Sequence, residues 1–240
     1  LIRPMEDADR DFLVAARRSL PALLTTIAPE SVTADRVTAL SEAGVVVSIG
    51  HTDTSARTAR AYAQAGARMA THLFNAMSQI GSREPGVAGA VIDSTTLWAG
   101  LIADGYHVDP VTMGIALRAK RGPGRIFLVT DAMAPLGTDM PSFTLNGRTI
   151  LRRDGRLTLE DGTLAGADLD MISAVRFIHR VIGLELDEAL RMASTYPAEA
   201  MGFSTRGRLA KGSRADIVAL TPDLEVSRVW IGGETAFSAS

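Results

Sequence analysis

The chain has 240 residues, a formal net charge of -2 from 25 Lys+Arg against 27 Asp+Glu, 46% hydrophobic residues and no cysteine. That is enough apolar material for one large α/β core, and too little charge of one sign to track nucleic acid or to cling to an anionic membrane surface. The lack of thiols excludes disulfides, thiolate zinc sites and a cysteine nucleophile, leaving His, Asp and Glu for metal or acid–base work.

No apolar run reaches the roughly 20 residues that span a bilayer, and the start, Leu1-Ile2-Arg3-Pro4, has no signal-peptide layout, so a cytoplasmic protein is expected. From residue 9 to Asp131, amphipathic segments alternate with short apolar runs, the signature of parallel βα units. In chain order the reading is helix 9–20, strand 24–28, helix 34–43, strand 45–50, helix 55–65, strand 68–73, strand 97–103, helix 111–120 and strand 126–130. Gly44 and Gly66 follow two of these helices, where a left-handed residue closes the last turn. Beyond Asp131 the pattern changes: 143–159 alternates and carries Asn146-Gly147 and Asp154-Gly155, which fit β-hairpins inserted into the barrel segment. Helices at 171–181 and 186–193 and strands at 215–220 and 226–231 complete the reading.

The polar residues at strand ends carry the chemical information. His51 follows the strand at 45–50, His72 ends the strand at 68–73, His107 follows Ala103-Asp104-Gly105-Tyr106, and Asp131 follows Leu128-Val129-Thr130. In a parallel barrel these ends lie on one face, where active sites are built from several strands. A lone histidine beside an apolar strand is more often structural than a ligand; three of 4 histidines in equivalent places change that balance. His179, between helix arginines, keeps the reading of an amphipathic surface residue. Neutral imidazoles from adjacent strands suit a zinc-like ion, which can lower the pKa of a bound water toward about 7. Asp131 suits a proton carrier between that water and a leaving amine, although an aspartate after a strand can also be a plain turn or helix cap. His107 would then polarise or position the carbonyl under attack.

Gly50-His51-Thr52, Thr71-His72-Leu73-Phe74-Asn75-Ala76-Met77, Arg83-Glu84-Pro85-Gly86, Asp104-Gly105-Tyr106-His107-Val108 and Val129-Thr130-Asp131-Ala132 together resemble the N-acetylglucosamine-6-phosphate deacetylases of the amidohydrolase superfamily. The likeness runs from Ala28-Pro29-Glu30 through Gly162-Thr163-Leu164-Ala165-Gly166 to Ala215-Asp216-Ile217-Val218. It implies an α/β (β/α)₈ TIM-type barrel with a small accessory β-sandwich: residues 1–204 as the C-terminal portion of the barrel, carrying strands four to eight, and 205–240 as sandwich strands. It implies hydrolysis of the acetamide of N-acetyl-D-glucosamine 6-phosphate in amino-sugar catabolism. His51 and His72 would bind one or two divalent ions, expected to be zinc, and Asp131 would be the acid–base residue. His107 would contact substrate near the scissile amide, Asn75 and Ala76 would hold the sugar phosphate, and Arg83 would bind phosphate in trans across a homodimer. A guanidinium is a planar, permanently charged fork suited to phosphate, whereas without the neighbouring motif Arg83 would read as a solvated loop charge.

Two departures stand out. The family's metal-binding glutamate and a further substrate histidine belong upstream of Leu1, so an isolated chain would leave an open barrel with exposed strand edges. Ala167-Asp168-Leu169-Asp170 also stands where small hydroxyl residues are expected. The alternatives are a cyclic amidase of the same superfamily, which would want a strand-end lysine, and a barrel that binds without turnover.

Overall fold

Strand sequences such as Trp98-Ala99-Gly100-Leu101-Ile102, buried at every position, can satisfy their backbone only inside a sheet covered on both faces. The computed structural model, which describes residues 3–239, places them in such a sheet. Residues 1, 2 and 240, the outermost positions of the expected 1–204 and 205–240 segments, lie outside the described residues. The described residues form two compact units, one of 3–101 with 115–127 and the other of 102–114 with 128–239.

In the first unit, α1 (Asp7–Ser19), α2 (Ala34–Glu42), α3 (Ala56–Gln64) and α4 (Gly86–Asp93) alternate with β1 (Leu24–Ile27), β2 (Val46–Ile49), β3 (Met69–Ala70) and β4 (Trp98–Ile102). α5 (Pro110–Ala119) precedes β5 (Ile126–Val129), and the sheet order is β1-β2-β3-β4-β5, the number of barrel strands expected. The pairings β1/β2, β2/β3 and β3/β4 are parallel. Val47, Ile49, Ala99 and Leu101 are fully buried and form its core with Val37 and Leu40 from α2.

Two elements differ from the sequence reading. β3 has two residues rather than six, because the chain turns into left-handed backbone at His72 and cannot continue as strand. α4 was not expected, since Gly86-Val87-Ala88-Gly89-Ala90-Val91-Ile92 has no polar face; it is a helix buried on almost all sides.

The second unit carries two antiparallel sheets. β6 (Ser142–Leu145), β7 (Arg148–Arg153), β8 (Arg156–Thr158) and β9 (Leu164–Ala167) form a meander, joined at Asn146-Gly147 and Asp154-Gly155 where both central residues have positive φ, as a type I′ hairpin requires. β10 (Ile217–Leu220), β11 (Val226–Ile231) and the unexpected β12 (Glu234–Ser238) form the other. α6 (Met171–Phe177) runs into a π-helical turn at Ile178–Ile182, followed by α7 (Leu186–Ala193) and the short α8 (Thr195–Ala200). His179 is half-buried with Nδ1 2.8 Å from the Leu184 carbonyl, so it secures the end of that turn rather than a free surface. Among the described residues no helix is long and apolar enough to cross a membrane.

Candidate active site

Backbone strain marks the strand ends before any side chain is considered. Among the described non-glycine residues outside the hairpin turns, positive φ falls on His51 (52°), His72 (33°), Phe74 (74°), Ala76 (45°) and Asp131 (51°), and on Leu224 away from the sheet. Left-handed backbone costs a residue with a side chain roughly 1–2 kcal/mol, and persists where neighbours over-determine it.

In the first unit those neighbours are visible. The Thr71 hydroxyl sits 2.9 Å from that of Thr26 and 2.7 Å from that of Ser48, a chain of hydroxyls across β1, β2 and the end of β3. Gly50 is confined against this chain: a Cβ there would stand 2.9 Å from Thr71 Cβ and 3.0 Å from Thr26 Cγ2. Thr52 N–H donates to the Ala76 carbonyl (3.0 Å), and the Ser78 hydroxyl to the Thr54 carbonyl (2.6 Å), lacing the loop after β2 to the loop after β3. These ties bring the expected metal histidines together, with Nε2 of His51 and Nε2 of His72 3.1 Å apart and rings at 81°. His72 is 7% exposed and its Nδ1 is buried with no hydrogen-bond partner among the described residues. A cavity of ≈ 380 Å³ beside His51 is bounded by residues that include Thr26, Ile27 and Gly50.

Two neutral imidazole nitrogens at about 2.0–2.1 Å from one zinc stand about 3.3 Å apart at the tetrahedral angle, so the donor type and the observed spacing fit two ligands of such an ion. Among the described residues no group of three or more His, Cys, Asp or Glu is gathered around a common point.

Asn75 and Ala76 lie in the same loop, Asn75 Nδ2 donating to the Leu73 carbonyl at 3.3 Å. Arg83 is exposed in the turn before α4. Glu84 anchors that turn, its Oε1 accepting from Ala56 N–H (2.7 Å) and Gly86 N–H (3.0 Å) at the starts of α3 and α4. Those two donors, Ala56 first, hold its carboxyl below the usual carboxylate range. Gly86, at φ 65°, is required there, since a Cβ would lie 2.5 Å from the carbonyls of Ser78 and Gln79.

The second unit holds His107 and Asp131. Asp104, the first residue of the Asp104-Gly105-Tyr106-His107 motif, holds the loop and the ring of His107. Its Oδ1 accepts from the N–H groups of Tyr106 and His107 (2.9 Å each), and its Oδ2 lies 2.6 Å from His107 Nδ1. Burial alone would push the Asp104 carboxyl up, but the hydrogen bonds from the His107 ring and from both N–H groups outweigh it, and the carboxyl lies below its ordinary value. A carboxylate on Nδ1 fixes that nitrogen as the protonated one and leaves Nε2 for other partners. An acidic residue three positions before a strand-end histidine, with glycine between, is the signal that points to it. Asp131 is exposed; its carbonyl accepts from Ala167 N–H at 2.9 Å, and Ala132 bridges Ala167. A larger apolar hollow of ≈ 860 Å³ in this unit, lined by residues such as Ile172, Leu190 and Val218, contains none of the expected site residues.

The parallel sheet that ends in strained, histidine-bearing turns agrees with the family comparison: the chain belongs to the amidohydrolase family, whose model it matches over residues 22–236. It is 41% identical over 231 residues to an N-acetylgalactosamine-6-phosphate deacetylase of Shewanella sp. (strain ANA-3), covering 96% of this chain and 58% of that protein. It is 37% identical over 237 residues to an N-acetylglucosamine-6-phosphate deacetylase of Haemophilus influenzae, covering 97% and 61%. The crystal structure of N-acetylglucosamine-6-phosphate deacetylase from Pasteurella multocida superimposes with a TM-score of 0.92 at 36% identity, over 98% of this chain and 61% of that one. The chain thus spans about three-fifths of the length of the relatives it matches.

Proposed function

We propose that the protein is a metal-dependent deacetylase of a phosphorylated amino sugar, converting N-acetyl-D-glucosamine 6-phosphate and water to D-glucosamine 6-phosphate and acetate in the cytoplasm. The observation that carries this reading is the 3.1 Å approach of His51 Nε2 to His72 Nε2 at the ends of adjacent parallel strands. The names of the relatives support the substrate class. His51 and His72 hold a divalent ion, taken to be zinc, as one or two ions. When bound, the ion supplies Lewis acidity toward the acetamide carbonyl and the attacking water.

The chain's own residues do the rest. Asp131 takes a proton from the water whose oxygen adds to the carbonyl carbon, and returns it to the nitrogen as the C–N bond breaks, so the amine leaves neutral. His107, with Nδ1 committed to Asp104, meets the acetamide through Nε2. Asn75 and Ala76 hold the sugar phosphate. The exposed Arg83, for which no intrachain ion pair or hydrogen bond is seen among the described residues, serves the phosphate of a second subunit in a homodimer.

The Shewanella relative favours a second substrate, the 4-epimer N-acetylgalactosamine 6-phosphate. The test is acetate release by the whole protein from each epimer, with Asp131→Asn beside wild type. Turnover should fall at least about 10²-fold in the variant while substrate still binds. Equal turnover in both proteins removes Asp131 from the chemistry, and no acetate from either epimer removes the substrate class.

A further inference from the structure

Arg152 lies on β7, in the inserted meander, and is no part of the motifs above. Within the second unit it joins two segments that follow Asp131, the loop at 135–141 and Asp168. Its backbone N–H donates to the Pro141 carbonyl at 2.8 Å, and its Nη1 donates to the carbonyls of Thr138 and, at 3.3 Å, Pro135. Its Nε donates to Asp168 Oδ2 at 2.7 Å.

Asp168 connects this arginine to the strained residue. It follows Ala167, the residue whose N–H holds the Asp131 carbonyl, and Gly166, where a Cβ would stand 2.5 Å from the sulfur of Met133 and 3.3 Å from the same carbonyl. The Asp168 side chain is 9% exposed, and its Oδ1 is buried with no hydrogen-bond partner among the described residues. A buried carboxylate with one satisfied oxygen is costly, so the arginine beside it is not exchangeable for solvent. The guanidinium fork also has a fixed direction: engaging Asp168 through Nε aims Nη1 at the two loop carbonyls, which an ammonium could not reproduce.

We propose that Arg152 and Asp168 are positioning residues for Asp131. Their pair clamps residues 135–141 on one side and Ala167 on the other, holding the left-handed turn at Asp131 so that its carboxylate is presented in one place. Neither residue touches substrate. The proposal rests on Asp131 being the proton carrier.

The experiment compares Arg152→Leu and Arg152→Lys in the whole protein, each alone and combined with Asp131→Asn. Arg152→Leu should lower kcat about ten- to a hundredfold, the scale of a misplaced catalytic group, with KM and bound metal unchanged. Arg152→Lys should recover part of the loss, because an ammonium still pairs with Asp168. Once Asp131 is Asn, Arg152→Leu should make no further difference, since it acts through the lost group. Amide hydrogen exchange should quicken at 131–141 and at Ala167 and stay unchanged in β1–β4. Unchanged kcat in Arg152→Leu, losses that multiply in the double variant, or exchange that rises throughout the chain would each overturn the proposal. If Asp131→Asn itself keeps full turnover, the proton-carrier reading fails and takes this proposal with it. A dead Asp131→Asn beside a fully active Arg152→Leu sinks this proposal alone.

Discussion

His72 and His107 are both almost fully buried imidazoles at strand ends, yet the two units hold them in opposite ways. His107 is fixed from behind: Asp104 takes its Nδ1 at 2.6 Å and the two N–H groups of the same loop at 2.9 Å, so its tautomer is chosen by the protein. His72 is fixed from in front. Its backbone is pinned in a left-handed turn beside the Thr71 hydroxyl chain, its Nδ1 has no partner among the described residues, and its Nε2 faces His51. A ring held by a carboxylate is ready before ligand arrives; a ring held by a second imidazole takes its tautomer from what binds at Nε2. The first suits orienting a substrate and the second suits gripping an ion.

The sharpest way to break this contrast is to remove the imidazoles themselves. His51→Ala or His72→Ala in the whole protein should strip most bound divalent metal and abolish most turnover, whereas His107→Ala should leave metal content at the wild-type value. Metal analysis after exhaustive dialysis decides it, and full metal in both His51 and His72 variants would reduce the pair to a packing contact.

Arg83 tests whether the exposed turn before α4 belongs to the site at all. Arg83→Ala should cost about 1.5–3 kcal/mol of phosphate recognition, roughly ten- to a hundredfold in kcat/KM on the 6-phosphorylated sugar, and almost nothing on unphosphorylated N-acetylglucosamine. If the arginine acts in trans, mixing Arg83→Ala with Asp131→Asn subunits restores one good site per heterodimer, and activity should reappear after subunit exchange. Equal losses on both sugars would make Arg83 a structural residue.

Asp104→Asn should have the smallest effect and sharpens the comparison most. The His107 ring keeps its shape and loses its carboxylate, so turnover should fall about tenfold with metal content intact. The carboxylate also leaves a mark on stability. Its folded pKa is depressed, so its contribution is complete above the unfolded value of about 3.9 and is lost as pH falls through the lower folded value. Melting temperatures taken from pH 5 downward should therefore drop more steeply in wild type than in Asp104→Asn, and parallel curves would show that the pair contributes nothing to folding.

Much of this was legible in the sequence because parallel strands buried on both faces must be short apolar runs, and β1, β2, β4 and β5 fall within a residue or two of where such runs lie. β3 is shorter than expected because the left-handed turn at His72 ends the strand at Ala70, and a residue's sign of φ is not written in Thr71-His72-Leu73. α4 escaped because its burial erases the amphipathic period by which helices are read. β12 escaped for the opposite reason, all five residues being exposed with no alternation to detect. At the site, strand-end placement marked His51, His72, His107 and Asp131. Asp104 is legible in hindsight from its place three residues before His107, whereas Glu84 and Arg152 do not stand out, because what they do lies in contacts with amides, carbonyls and a carboxylate distant in sequence, which spacing along one chain does not encode.

The left-handed turns carry a consequence for anyone who would engineer this chain. At His51, His72, Phe74, Ala76 and Asp131 the residue with the lowest conformational energy is glycine or asparagine rather than the one present. A library selected for heat resistance alone should therefore drift toward those two residues at these positions, and would discard the imidazoles and carboxylate of the proposed site while it gained melting temperature. Directed evolution of this protein needs a selection on turnover running beside any selection on durability.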